Sequence, residues 1–307
     1  MNFFVIGAQK SGTTTIHDVL DGIPGVSLPK QKETHYYSNQ YEKGIGWYKA
    51  QFKLKDELSN EVEVFGEVDP EYIFWPGTAN RIYEEHPNAK IVCILRNPIF
   101  RAVSQYKMSV RRGIEDRSFE KALAAEFELM NSASLECGYS PFSQEELFSH
   151  SYLLRSLYSK QIKEYLEKFP RENIYFMLFE NLTDSDKYDL EVGRLLEFLG
   201  INRKEFDLSY TKSNEAVSPK SYALNKMLWD KSRLHTLRKI LRVVLPEVLR
   251  HKISQTLYSL NQSSDPLSKI NVDVAKVDAR ILSYIKHDVD MVADMTKLDL
   301  SCWRMHR

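Results

Sequence analysis

Phe3-Phe4-Val5-Ile6-Gly7-Ala8-Gln9-Lys10-Ser11-Gly12-Thr13-Thr14-Thr15-Ile16-His17-Asp18-Val19-Leu20 spells a strand, a turn and a helix in one line. Four apolar residues give way to a Gly/Ser/Thr-rich turn, and Ile16, Val19, Leu20 and Ile23 then share one helical face. The first backbone N–H groups of such a helix have no intrahelical acceptor, and the positive end of its dipole favours an anion there. The turn therefore reads as a phosphate cradle formed by Lys10, Ser11, Gly12, Thr13, Thr14 and Thr15. In nucleotide triphosphatase loops the lysine directly follows the second glycine and reaches the β and γ phosphates. Here Thr13 follows Gly12 and the lysine stands earlier, at Lys10. A donor whose reactive group is differently placed fits that spacing.

Outward from this unit the same pattern returns. Ile91-Val92-Cys93-Ile94-Leu95 is a continuous apolar run of the kind a buried parallel strand carries. It ends in Arg96-Asn97-Pro98, after which Ile99, Val103, Tyr106 and Val110 recur at helical spacing, with Pro98 suited to the first turn. Val62, Val64 and Phe65 suggest a short strand before Gly66, and Ile174 to Phe179 is a third apolar strand. An amphipathic helix is expected from Ser151 to Lys168, stopped by Pro170, and another over Val192 to Leu199, closed by Gly200. Strands alternating with helices predict an α/β fold, a P-loop-like three-layer α/β/α arrangement with a central parallel sheet and ligands beyond the carboxyl ends of its strands. The chain is expected to form a single domain over residues 1–307, with a core over about 1–225 and a helical C-terminal extension over about 226–307.

Composition narrows the partners. Lys+Arg and Asp+Glu both total 42, so no global field draws the chain to nucleic acid, and anion recognition must be local. Cys93, Cys137 and Cys302 are too far apart for a metal-ligand spacing or a dense disulfide framework, which fits a reducing compartment. The first strand starts so early that no signal peptide is expected before it, and no apolar stretch reaches bilayer-spanning length. Lys231, Arg233, Arg238, Lys239, Arg242, Arg250 and Lys252 make one region locally basic, as a solvated helix face or as a contact with an acidic acceptor or a membrane surface.

Two anion-binding turns thus close two separate strands: Lys10 with Ser11 to Thr15, and Arg96 with Ser104 two helical turns further on. If the strands are neighbours, the pair can hold a nucleotide with phosphates at both ends. The segment Lys30 to Tyr37 mixes charge and aromatic rings without a simple period, as a loop lining a site does. Tyr36, Tyr37, Trp47 and Tyr48 suit either an acceptor cleft or the core.

These residues resemble the sulfotransferases that use 3′-phosphoadenosine 5′-phosphosulfate, PAPS. Gly7 to Thr14 is similar to their 5′-phosphosulfate loop, and Leu95 to Tyr106, with Arg96 and Ser104, to their 3′-phosphate motif. Lys32-Glu33-Thr34-His35-Tyr36-Tyr37 and Lys43-Gly44-Ile45-Gly46-Trp47-Tyr48 resemble consecutive motifs of the heparan-sulfate sulfotransferase-like branch and its bacterial relatives. Gly66 to Tyr72, Asn181-Leu182, Phe198 to Gly200 and the closing Leu300-Ser301-Cys302-Trp303 resemble later blocks. Val68 stands where the glucosaminyl 3-O-sulfotransferases carry a lysine, so their acceptor contacts do not transfer. Asn214 to Ser221 resembles a bacterial segment and makes Lys220 and Ser221 further cofactor contacts.

The resemblance implies transfer of a sulfuryl group from PAPS to a hydroxyl or amine of a carbohydrate, glycolipid or small metabolite, leaving 3′,5′-ADP and requiring no metal. Glu33 would be the base, with His35 the competing base, and Lys10 would neutralise the leaving group. A cytoplasmic, bacterial enzyme with optional peripheral membrane contact is implied. The rivals are an ATP–Mg phosphotransferase and a nucleotide-binding scaffold without turnover. Against the phosphotransferase stand the position of Lys10 and the lack of an evident apolar strand ending in an acidic, magnesium-binding residue.

Overall fold

The computed structural model describes residues 1–52, 64–132, 143, 147, 149–201, 217–219, 262–266, 270 and 272–303. The chain divides into two compact units, one of residues 1–101, 154–213 and 282–307, the other of residues 102–153 and 214–281. In the first unit, β1 (Phe3–Gly7), β2 (Val26–Ser27), β3 (Val64–Val68), β4 (Lys90–Leu95) and β5 (Ile174–Leu178) form one sheet in the order β2-β3-β1-β4-β5. Every pairing is parallel, with Val5 opposite Val68 on one side and Val92 on the other. β1 is therefore central, which is why its residues are apolar without alternation: both faces are covered.

On one face, α1 (Thr13–Asp21) and a second helix over Ser185–Leu199 bury Ile16, Leu20, Val192, Leu195, Leu196 and Leu199 against Phe3, Val5, Val92 and Ile94. On the other face Phe4 meets the rings of Tyr37 and Tyr72, the former edge-on with centroids 5.5 Å apart. Between β2 and β3 the chain makes α2 (Tyr36–Asn39) and α3 (Gly44–Lys49), and after β3 comes α4 (Thr78–Glu85). α5 (Pro98–Arg112) starts in the first unit, as its proline and helical spacing predict, and its later turns belong to the second. The second unit also holds α6 (Phe119–Ser132), where buried Glu126 accepts a hydrogen bond from the Leu153 amide at 2.7 Å, and an antiparallel pair, β6 (Val217–Pro219) with β7 (Gln262–Pro266).

Two sequence expectations change. The helix expected over Ser151–Lys168 is interrupted: residues 154–156 form a 3-10 turn, Leu157 is extended, and α7 runs only from Tyr158 to Leu166. Arg155 is drawn to Glu71 and the Ser156 hydroxyl donates to the Pro98 carbonyl at 3.0 Å, so tertiary partners override the local period. Secondly, the short strand expected before Gly66 runs through it, over Val64–Val68, and Asp69 follows its carboxyl end. After β5 follow α8 (Phe179–Thr183) and α9, the Ser185–Leu199 helix, whose left-handed C-cap is Gly200 as expected. The long C-terminal helix α10 spans Ala279–Thr296. The rest of the expected helical extension, with its basic side chains at 231–252, lies outside the described residues. Among the described residues no helix is long and apolar enough to cross a membrane.

Candidate active site

Because β1 lies between β3 and β4, the loops leaving the carboxyl ends of these three strands are neighbours. The first loop turns on Gly12, the N-cap of α1, at φ 85°. A residue with a Cβ is strained there, and glycine offers no side chain that could cap the helix. Gly7 is required for space: a Cβ there would stand 2.5 Å from Ile73 Cγ2. Lys10 itself is left-handed at φ 70°. For a lysine that conformation costs on the order of 1–3 kcal/mol, about what burying one core side chain returns. Ser11 and Thr13 are buried, Thr15 is half-buried and Thr14 is exposed.

The second turn adjoins the first. Arg96 Nη1 donates to the Lys10 carbonyl at 2.9 Å, and its guanidinium lies 4.3 Å from the centre of the Phe179 ring. Burial holds this guanidinium below its ordinary pKa, so an anion near it would be favoured. Asn97 caps α5 through Oδ1, accepting from the Ile99 amide at 3.0 Å, while its own amide donates to Glu180 at 2.9 Å. Ser104 lies half-buried on α5 in the second unit, and Lys220 and Ser221 lie outside the described residues.

The segment around Glu33 is fastened by a row of carboxylates that leaves β3. Glu67 is fully buried and accepts from the Thr34 hydroxyl at 2.5 Å, the Tyr48 hydroxyl at 2.7 Å and the Tyr72 hydroxyl at 2.9 Å. Burial and the charge of Asp69 push its pKa up to about 7 against those hydrogen bonds. Asp69, also fully buried, accepts from the His35 backbone amide at 2.7 Å and faces His35 Nδ1 at 3.0 Å, both through Oδ2. Glu71 takes two hydrogen bonds from Arg155, at 3.1 and 2.8 Å, one from Gln9 at 2.8 Å and one from Trp75 at 2.9 Å. Gln9 belongs to the first loop, so this last carboxylate joins the two halves of the site.

These contacts set the protonation states. Burial alone would lower the pKa of His35, but its hydrogen bond to Asp69 and the charges of Asp69, Glu33 and Glu71 push it up to about 9. At neutral pH the ring is an imidazolium, with no lone pair to take a proton. Glu33 is raised above the ordinary carboxylate range by burial first and by Asp69 second, while Lys32 and His35 oppose the rise. Lys32 Nζ stands 3.8 Å from Glu33 Oε1 and donates to Thr14 Oγ1 at 2.7 Å, tying the base candidate to α1. Glu33, His35 and Asp69 bring one ligand-capable atom each within 4.8 Å of one another.

The structure thus brings Lys10 against Arg96, and Glu33 and His35 against a carboxylate row. Sequence reading missed Asp69, Glu71 and Arg155 as site residues, and the acids at alternate positions 67, 69 and 71 were the available signal. Of the rings thought to suit an acceptor cleft, Tyr36, Tyr37 and Tyr48 are core residues, each at most 1% exposed. Trp47 is half-buried beneath the Lys43 ammonium, 4.1 Å from its ring centre.

The chain is similar to several known proteins. A family model described as a sulfotransferase domain matches residues 1–241. The membrane-associated sulfotransferase kil1 of Dictyostelium discoideum is 39% identical over 110 residues, 36% of this chain and 23% of that protein. Human heparan sulfate glucosamine 3-O-sulfotransferase 6 is 28% identical over 212 residues, 68% of this chain and 56% of that one. The chain thus spans between about a quarter and about half the length of these relatives. The crystal structure of a sulfotransferase from Alicyclobacillus acidocaldarius superposes with a TM-score of 0.62 at 25% identity, covering 99% of this chain and 98% of that one.

Proposed function

The chain belongs to the sulfotransferase domain family, and from that premise we propose that it transfers a sulfuryl group from PAPS to a hydroxyl or amine of a carbohydrate, glycolipid or small metabolite. The observation that carries this reading is the hydrogen bond from Arg96 to the Lys10 carbonyl, which joins the two turns and supports reading them as one site. A nucleotide with phosphate at both its 5′ and 3′ ends matches such a pair: the α1 amides and Lys10 receive the 5′-phosphosulfate, and Arg96 with Ser104 receives the 3′-phosphate. Lys220 and Ser221 are proposed as further contacts to the donor.

In the reaction the acceptor oxygen or nitrogen attacks sulfur, the bond from sulfur to the bridging oxygen breaks, and 3′,5′-ADP leaves. Glu33 takes the acceptor proton. Its raised pKa makes it a stronger base than an ordinary carboxylate, and the charges of Lys32 and His35 oppose the rise. Lys10 neutralises the charge that grows on the bridging oxygen. His35, held as an imidazolium by Asp69, orients rather than accepts. The 3-O-sulfotransferase relatives favour a sugar hydroxyl as acceptor, and the kil1 relative favours an acceptor or docking surface at a membrane.

Incubation of the protein with PAPS and an extract of its source cells, followed by mass spectrometry, is expected to give an acceptor heavier by one sulfonate group. In parallel, 3′,5′-ADP should raise the melting temperature and ATP–Mg should not. Stabilisation by ATP–Mg alone would overturn the sulfotransferase reading.

A further inference from the structure

α7 begins with a defect in its own sequence. Its N-cap position is Leu157, which has no side-chain oxygen, so the first amides of the helix lack a local acceptor. The acceptor arrives from α10, 130 residues away: Asp288 Oδ2 receives the Tyr158 amide at 2.7 Å, and Oδ1 receives the Ser159 amide at 3.1 Å and the Ser159 hydroxyl. Asp288 is buried, and burial raises its pKa against these hydrogen bonds, so it is retained at a cost in solvation.

The residue it fixes is connected to the donor site. The Tyr158 hydroxyl donates to the Arg96 carbonyl at 3.0 Å, and Arg96 in turn donates to the Lys10 carbonyl at 2.9 Å. The closing block Leu300 to Trp303 reaches the same point, with the buried Trp303 ring 6.2 Å from the Tyr158 ring. Two parts of the C-terminal segment therefore converge on Tyr158 from outside residues 1–241, the region that the family model matches.

We propose that Asp288 is a positioning residue for the donor-phosphate site, acting through Tyr158 on the carbonyl of Arg96 and so on the backbone at Lys10. The inference rests on the sulfotransferase reading above. A helix cap that served only stability would have needed no route to the site. This one ends on the carbonyl of the residue whose guanidinium braces the phosphate loop. Moving the start of α7 by a few tenths of an ångström would move Arg96 with it, and a charged hydrogen bond to phosphate weakens steeply with misalignment.

Calorimetry of 3′,5′-ADP binding to the full chain tests this. Asp288→Asn keeps the size of the side chain but puts an amide NH2 where one oxygen accepts, and should raise the Kd roughly tenfold, equivalent to about 1.4 kcal/mol. Tyr158→Phe removes only the hydroxyl and should raise it by a similar factor, which keeps the test open if Asp288→Asn folds poorly. The double variant should be no weaker than about twofold beyond either single one, because both interrupt one route. Val292→Ala, at a fully buried position on α10, supplies the structural control: it should lower the melting temperature while leaving the Kd within about twofold. Unchanged Kd values in Asp288→Asn and Tyr158→Phe, or an equal loss in Val292→Ala, would overturn the positioning role and leave the sulfotransferase reading intact. Failure of the wild-type chain to bind 3′,5′-ADP would overturn both.

Discussion

The turn over residues 8–14 and the segment over residues 33–37 adjoin the same sheet, yet they are held by opposite means. The first is shaped by backbone: Gly12 at φ 85°, Lys10 at φ 70°, and a carbonyl of Lys10 gripped by Arg96. The second is shaped by side chains that arrive from elsewhere. Glu67 holds Thr34 by its amide and hydroxyl, and Asp69 holds His35 by its amide and ring. A backbone-built site tolerates change in most of its side chains, because the donors are amides. A site built on buried carboxylates does not, because removing one partner leaves the other unpaired in a medium of low polarity. Donor binding and acceptor activation are therefore expected to fail separately.

The largest effect should come from Glu33→Gln. If Glu33 takes the acceptor proton, turnover should fall roughly a thousandfold, while the Kd for 3′,5′-ADP stays within about twofold of wild type. Turnover with labelled PAPS and calorimetry on the same sample measure the two halves independently. Parallel loss of both would break the contrast, since the acceptor segment would then be supporting the donor loop. Lys10→Ala is the next probe, from the other side. Its Cβ and its carbonyl remain, so the grip of Arg96 and the shape of the turn should survive. Turnover should drop roughly a hundredfold through loss of leaving-group stabilisation, with the melting temperature nearly unchanged. A large fall in melting temperature would mean that the ammonium group, rather than the backbone, maintains the loop.

The same contrast explains what could be read from the chain itself. Phe3 to Leu20 is a contiguous signal: an apolar run, a glycine turn and a helical period whose physical requirements are all local. Arg96 after Ile91 to Leu95 is equally local, and both turns lie where the parallel order of strands puts them. The carboxylate row was visible as letters but not as a site, since Glu67, Asp69 and Glu71 acquire meaning only from Thr34, His35 and Arg155. The same limit hid the break before α7: Leu154, Leu157, Tyr158 and Ile162 do follow a helical period, but the long-range partners of Arg155 and Ser156 decide the backbone. Aromatic Tyr36, Tyr37 and Tyr48 suited a cleft or a core equally in sequence. Stacking of Tyr36 on Tyr48, with centroids 4.7 Å apart, and the hydrogen bond from Tyr48 to Glu67 place them in the core.

The smallest effect concerns pH, and it separates the two segments by thermodynamics rather than by rate. His35 has an ordinary pKa near 6.5 when unfolded and about 9 when folded, so between these values the folded chain binds more protons. The stabilisation from its pair with Asp69 is fully present below pH 6.5 and is lost as pH rises through 9. With the ring 22% exposed and so partly screened, the loss should amount to about 2 kcal/mol. Glu67 titrates lower, near 7, and burial raises Tyr48 and Tyr72 above the ordinary tyrosine range, so the histidine is read as the difference between wild type and His35→Gln in urea unfolding from pH 8 to pH 9.5. His35→Gln removes the titrating group and should flatten that part of the stability profile relative to wild type. Lys10→Ala should keep the wild-type slope, because the donor loop is held by backbone and not by this ion pair. A slope that persists in His35→Gln would mean that Asp69 is satisfied by the His35 amide alone, and the acceptor segment would then rest on backbone as the donor loop does.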